Sequence, residues 1–325
     1  MRMGSESPLL TLDDVREAHR RIQDKIVRTP VLTSATLDAS ACARLFFKCE
    51  NFQMAGAFKA RGATNAVFSL SDEQARRGVA THSSGNHGAA LARAAGLRQI
   101  RAVVVMPRNA ARIKLESVER YGGTVVLCEP TLQSREETLQ RVIAASGAVM
   151  VHPYNDFRVM AGQGTVALEL LETVPDLDCI LCPVGGGGLL SGVATAAKGI
   201  HPSIRVIGVE PAAADDAARS LRAGRIVTNA DPATIADGLR ANLGDRTFAQ
   251  IRRTVDEIVT VTEESIVAAM RRIWEVMKIV VEASGAVPYA AAEGKADIAG
   301  KKVGIILTGG NVDLDFLPWL AQPPQ

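Results

Sequence analysis

The chain has 325 residues, 47% apolar and 22% charged, enough to fill the core of one large or two smaller units. A formal net charge of +2 gives no reason to expect nucleic acid or an anionic membrane as partner. No uninterrupted apolar run is long enough to cross a bilayer, and the first residues lack an apolar h-region and turn acidic early. We therefore expect no signal peptide and a cytoplasmic location.

In chain order, an early strand is predicted at residues 45–50. Strands at 79–83, 101–106, 124–128 and 148–152 then alternate with helices at 88–95, 111–121 and 134–146. A helix at 164–173, a strand at 179–184, a helix at 189–197 and a strand at 205–210 follow. A long helical stretch from Glu263 and a strand at 302–307 close the chain. The alternation predicts an α/β fold: an open, mostly parallel twisted sheet with helices on both faces. Residues 76–152 form a compact βα series, read as a smaller inserted α/β domain. Residues 1–75 and 153–325 are read as the large domain. The five cysteines, Cys42, Cys49, Cys128, Cys179 and Cys182, read as free thiols. Cys179 and Cys182 form a CxxC, but on a strand they point to opposite faces roughly 10 Å apart, which suits core positions and not a metal or redox pair.

Open parallel sheets bind ligands beyond their strand C-termini, and segments 83–88, 185–188 and 308–311, rich in glycine or serine, fall at such ends. Gly185, Gly186, Gly187 and Gly188 follow a buried strand and precede a helix opening at Leu189. Consecutive glycines let a backbone approach a ligand with its N–H groups exposed, and a helix N-terminus adds up to ~2 kcal/mol for an anion. A tight turn needs only one or two glycines, so four favour a phosphate cup. The run is not GxxxxGK[ST], so a nucleotide triphosphatase is not indicated. Lys59 lies among small and apolar residues near a helix start. Desolvation there frees an amine to attack a carbonyl, although the local sequence alone better fits a surface lysine. Residues 81–88 offer hydroxyls, an amide and N–H groups that suit a carboxylate grip and a capped helix equally. His82 and His87 lack partners at metal spacing, which argues against zinc.

Together these segments resemble the fold-type II pyridoxal-phosphate (PLP) enzymes, and more narrowly the serine racemase and serine/threonine dehydratase family. The resemblance runs from Asp14 to Asp315. It includes Phe46-Phe47-Lys48-Cys49-Glu50, Phe58-Lys59, residues 83–87, Ala161-Gly162-Gln163-Gly164-Thr165, the glycine run, Ile235-Ala236-Asp237-Gly238 and Leu307-Thr308-Gly309-Gly310-Asn311-Val312-Asp313. It implies that Lys59 carries PLP as an imine, that Phe58 and Gly238 flank the pyridine ring, and that Asn86 reaches its phenolic oxygen. It further implies that Gly185 to Gly188 and the Leu189 N–H bind the phosphate and that Thr308 faces the pyridine nitrogen. A hydroxyl there makes the ring a weaker electron sink than a carboxylate would, which suits early loss of a β-substituent.

The implied activity is an ammonia-lyase of the dehydratase type, with Lys59 taking the Cα proton. Its substrate would be a β-hydroxy amino acid of the serine, threonine, 3-hydroxyaspartate or phenylserine type, converted to a keto acid and ammonia. The alternative is a serine racemase using Lys59 and Ser84 as its two bases. A catalytically silent PLP-binding protein is a third reading, against which the presence of Lys59 with Ser84 argues. Ser83, Ser84, Asn86, His87 and Arg135 are the implied substrate contacts, although Arg135 also fits an exposed first helical turn. Glu210, Ala214 and Asp216 match the family's divalent-cation site, suited to Mg²⁺ with Ca²⁺ or Mn²⁺ as alternatives; without the resemblance an acidic helix start would be the plainer reading, and with it the cation is favoured. A homodimer is implied as well. The chain departs from the family at Ala55 and Ala57, where Thr and Ser are usual, and at Tyr154, which replaces an asparagine of mammalian-type racemases. Ala89 and Val276 replace residues tied there to ATP activation, so nucleotide activation is not expected.

Overall fold

Aliphatic and β-branched runs between amphipathic segments fold into two sheets in the computed structural model, which describes residues 9–83, 85–110, 112–294 and 296–320. The strands are β1 (Val31–Leu32), β2 (Arg44–Cys49), β3 (Val79–His82), β4 (Ala102–Pro107), β5 (Thr124–Cys128), β6 (Val149–Met150), β7 (Cys179–Pro183), β8 (Arg205–Pro211), β9 (Glu257–Val261) and β10 (Lys302–Leu307). The larger sheet runs β1-β2-β10-β7-β8-β9. Only β1 pairs antiparallel, and the other neighbours are parallel. The smaller sheet runs β5-β4-β3-β6, all parallel.

Each strand of the large sheet divides its side chains between two cores. Ile180, Cys182, Val206 and Ile306 pack with helices Phe157–Thr173 and Gly188–Ile200. Cys179, Leu181, Ile207, Ile305 and Leu307 pack with helices Glu263–Met277 and Ala283–Ala292. Burial of such a side chain contributes about 1.5–3 kcal/mol, which is why the strands are apolar on both faces. Cys179 and Cys182 thus enter opposite cores as free thiols, as their spacing predicts, and of the five cysteines only Cys42 is exposed.

Two helix boundaries differ from the sequence reading for local reasons. The helix predicted from residue 164 starts at Phe157, because the Asp156 side chain accepts the Arg158 N–H at 2.9 Å and caps it. The helical stretch from Glu263 is two helices. Lys278 closes the first in the left-handed region (φ 60°), and Glu282 is the extended N-cap residue of the second. Strands β1 and β9 escape the sequence reading because one is two residues long and the other is only half-buried.

Helix Lys59–Phe68 joins the two sheets. Its Ala63, Ala66 and Val67 pack with Val79 of β3 and with Leu91 and Ala94 of helix Asn86–Leu97. On its other side it crosses helix Phe157–Thr173 so closely that a Cβ on Gly162 would lie 2.6 Å from the Gly62 Cα.

Candidate active site

The approach to Lys59 is stitched to the end of β10. The Phe58 N–H donates to the Thr308 carbonyl at 2.9 Å, and Ala57 forms a bridge with Gly309. Gly56 sits at φ +69°, and a Cβ there would meet Asn311 Oδ1 at 2.3 Å. Lys59 is half-buried at the start of its helix. Its Nζ donates to the Pro153 carbonyl at 2.8 Å and lies 5.1 Å from the centre of the Phe58 ring. Desolvation pushes its pKa down to about 8, against the opposing pull of Glu282.

A buried ionic cluster anchors the same helix. The fully buried Arg61 guanidinium forks onto both oxygens of Glu50, at 2.7 Å each, and both oxygens of Glu169, at 2.8 Å each. It also reaches Thr165 Oγ1 at 3.1 Å. Lys48 Nζ completes the cluster, donating to Glu169 at 2.6 Å and to the Thr29 carbonyl at 2.7 Å. Two cations thus meet two carboxylates, with the guanidinium bidentate to each, the arrangement that best offsets burial of charge.

The glycine run leaves β7 and is buried throughout. A Cβ on Gly186 would stand 2.4 Å from the Tyr154 ring, one on Gly185 2.8 Å from the Leu239 Cα, and Gly187 adopts φ +87°. The N–H groups of Gly185, Gly186 and Gly187 donate to no other group among the described residues. Buried backbone donors without acceptors are rare. The first N–H groups of helix Gly188–Ile200, including that of Leu189, are orphaned by helix geometry. Together they form a cup that an anion would complete.

The remaining predicted residues converge unequally. Asn86 Nδ2 donates to both Glu282 oxygens, at 2.9 and 3.2 Å, and its Oδ1 accepts from Asn311 Nδ2 at 3.0 Å. The Gly238 N–H donates to Ser284 Oγ at 3.0 Å, and Thr308 is buried at the end of β10. Ser83 Oγ accepts the Gly85 and Gly88 N–H groups, both at 3.2 Å, so this hydroxyl caps the helix start. The buried His87 ring turns away to the Val151 carbonyl at 3.2 Å and leaves its Nδ1 without a partner. Arg135 Nε reaches the Thr131 carbonyl of its own helix start at 3.4 Å, and desolvation, reinforced by the charge of Arg135, holds the half-buried His82 below the usual imidazole range. Ser84 lies outside the described residues.

Several site residues carried no motif. His152 Nδ1 accepts the N–H groups of Asn155 at 2.9 Å and Tyr154 at 3.3 Å, so Nε2 carries the proton. Burial, His82 and Lys59 hold its pKa down to about 4. His82 and His152 border a cavity of about 640 Å³ shared with Glu136, Leu139, Arg141 and Met150. Glu282, buried and bonded to Asn86, also went unread. The available signal was a lone acid within the apolar run Ile279-Val280-Val281-Glu282-Ala283.

Glu210 and Asp216 are buried together beside Ala214. Glu210 accepts the Ala217 and Ala218 N–H groups at 3.0 and 2.8 Å, and Asp216 accepts that of Leu243 at 3.0 Å. Burial, reinforced by Asp216, pushes Glu210 up to about 8, and burial pushes Asp216 up to about 6. No lysine or arginine hydrogen-bonds either carboxylate among the described residues, a donor set that suits a hard cation. No group of three or more His, Cys, Asp or Glu side chains placed to hold a metal occurs among the described residues, so any cation here would need further oxygen ligands beyond the two carboxylates.

A PLP phosphate fits the unpartnered glycine N–H groups, and an amine with a depressed pKa stands at the same strand ends. The model of the pyridoxal-phosphate dependent enzyme family matches residues 22–309. The chain is 53% identical to a beta-hydroxyaspartate dehydratase of Paracoccus denitrificans, over 95% of this chain and 98% of that protein. It is 50% identical to a serine racemase of Oryza sativa, over 97% of this chain and 95% of that one. Among solved structures, maize serine racemase superposes with a TM-score of 0.93 at 50% identity, covering 95% of each chain. The fold, the lysine and these relatives agree: the chain is a fold-type II member of the pyridoxal-phosphate dependent enzymes, within the serine racemase and hydroxy-amino-acid dehydratase family.

Proposed function

We propose that this enzyme is a PLP-dependent ammonia-lyase that converts a β-hydroxy amino acid to a keto acid and ammonia. The observation that carries the cofactor chemistry is the pairing of Lys59, its pKa lowered to about 8, with three buried, unpartnered glycine N–H groups. When bound, the cofactor withdraws electrons from the substrate Cα. The protein supplies position and proton transfer. Gly185 to Gly188 and the Leu189 N–H would hold the phosphate, Phe58 and Gly238 would flank the ring, and Asn86 and Thr308 would serve its phenolic oxygen and its nitrogen. Lys59 Nζ, once free, takes the Cα proton, and the Pro153 carbonyl receives an N–H of that lysine. The N–H groups at the start of helix Asn86–Leu97, with Ser83 and Ser84, hold the substrate carboxylate. If Arg135 and His82 both face the substrate, they would meet a β-carboxylate such as that of 3-hydroxyaspartate.

The neutral Thr308 hydroxyl and the likeness to a beta-hydroxyaspartate dehydratase favour elimination. Racemisation through Lys59 and Ser84 is the second reading, supported by likeness to serine racemases at about the same identity. A coupled keto-acid assay over L- and D-serine, threonine, 3-hydroxyaspartate and phenylserine, with chiral analysis of the serine pool, tests both. Keto acid and ammonia in equal amounts are expected, and D-serine from L-serine without keto acid overturns the lyase reading. We further propose Mg²⁺ on Glu210, Asp216 and the Ala214 carbonyl, a cytoplasmic homodimer, and a small domain at residues 76–152 against a large domain at 1–75 and 153–325.

A further inference from the structure

Glu282 belongs to none of the motifs above, yet it lies where three cofactor-facing segments meet. Its two carboxylate oxygens lie 2.9 and 3.2 Å from Asn86 Nδ2 and can share one N–H, and its backbone N–H donates to the Gly309 carbonyl at 2.9 Å, beside Thr308. Two residues on, Ser284 Oγ accepts the Gly238 N–H. The fit allows no side chain at Gly309, where a Cβ would stand 2.5 Å from Glu282 Oε1.

The orientation of the Asn86 amide is fixed from both ends. Asn311 Nδ2 donates to Asn86 Oδ1 and to the Ala55 carbonyl at 2.8 Å, so the Asn86 oxygen faces Asn311 and its nitrogen faces Glu282. An amide nitrogen carries two protons. The one not engaged by the carboxylate is the donor left for an anionic oxygen of the cofactor. We propose that Glu282 is a positioning residue for PLP, acting through Asn86: it selects the amide face presented to the phenolic oxygen and places a negative charge one hydrogen bond behind it.

Two consequences separate this role from a merely structural one. A negative charge there disfavours an anionic phenolic oxygen and holds the proton of the Lys59 linkage more tightly. Removing the charge therefore lowers the pH at which the bound cofactor loses that proton. Burial and Asp237 push the carboxyl up to about 7, with Asn86 and Lys114 opposing, so the charge is present above neutrality. The charged groups facing it are Lys59 from its own helix, Lys114 from helix Arg112–Arg120 and Asp237 from the segment before Gly238.

The inference rests on PLP binding at Lys59, and the test keeps the two apart. The visible absorbance of wild type, Glu282→Gln and Glu282→Asp loaded with PLP is titrated between pH 7 and 10 as an order-of-magnitude window around the lysine range, with PLP affinity and Tm measured in parallel. We expect the midpoint to fall by roughly one pH unit in Glu282→Gln and by less in Glu282→Asp, which keeps the charge. Should Glu282→Gln fail to fold, Gly309→Ala displaces the carboxylate instead and is expected to shift the midpoint in the same direction. Unchanged midpoints in the variants overturn the role of Glu282. A wild type without any such band overturns PLP binding at Lys59 itself.

Discussion

Replacing Arg61 by Met tests how firmly the lysine-bearing helix is held. The guanidinium makes two bidentate pairs and a fifth bond to Thr165, with no exposed surface. Its removal leaves Glu50 and Glu169 buried with Lys48 as the one remaining cation of the cluster. Breaking a buried pair from one side costs about 3–5 kcal/mol, because the orphaned charge loses its partner without regaining water. At ~2.1 cal/mol/K per residue, 325 residues have an unfolding entropy near ~0.7 kcal/mol/K, so Tm should fall by about 4–7 °C. Differential scanning calorimetry of the PLP-free protein reads this directly, and PLP affinity should weaken in the same variant because residues 59 and 61 share one helix. A Tm within about 1 °C of wild type would falsify the view that this cluster anchors the site.

Gly186→Ala drives a Cβ to 2.4 Å from the Tyr154 ring, so PLP affinity measured by absorbance titration should drop about tenfold or more with the fold retained by circular dichroism; unchanged affinity removes the cup. Lys59 should capture PLP with a rate that levels off above a midpoint near pH 8. With that pKa about one molecule in ten carries the neutral amine at pH 7, against about one in three thousand for an ordinary lysine. A stopped-flow rate still rising tenfold per pH unit beyond about pH 9.5 refutes the desolvated amine. Saturating Mg²⁺ should raise Tm by about 4 °C at a hundredfold excess over Kd, an increment lost in Glu210→Gln; equal increments in both proteins refute the cation site.

The fold was legible in the sequence where segments are long and buried on both faces. Strand β10 falls on its predicted residues, since nothing competes with a run such as Val303-Gly304-Ile305-Ile306-Leu307 between helices. Boundaries set by one side chain were not legible: Asp156 extends a helix by a full turn and more, and Lys278 breaks one without a glycine or proline at that position. Of the candidate site, the parts concentrated in short segments, namely Lys59, the glycine run and Asn86, could be nominated from the sequence once several motifs were read together. The parts assembled from distant residues were not. Arg61 and Glu169 are separated by 108 positions and Asn86 and Glu282 by 196, and no spacing rule connects them. Each is an ordinary charge or amide until the chain is folded.

The unequal exposure of the thiols has a practical use. Cys49, Cys128, Cys179 and Cys182 are buried, and burial pushes each thiol pKa upward, so little thiolate forms where reagents could reach it. Cys42 is exposed in the left-handed cap that ends helix Ala35–Ala41, just before β2 begins. The strand then carries the chain about 20 Å toward the rim where Lys59 stands. One maleimide dye or tether per polypeptide can thus be attached at the edge opposite the chemistry, and turnover of immobilised or single molecules can be watched in the native sequence.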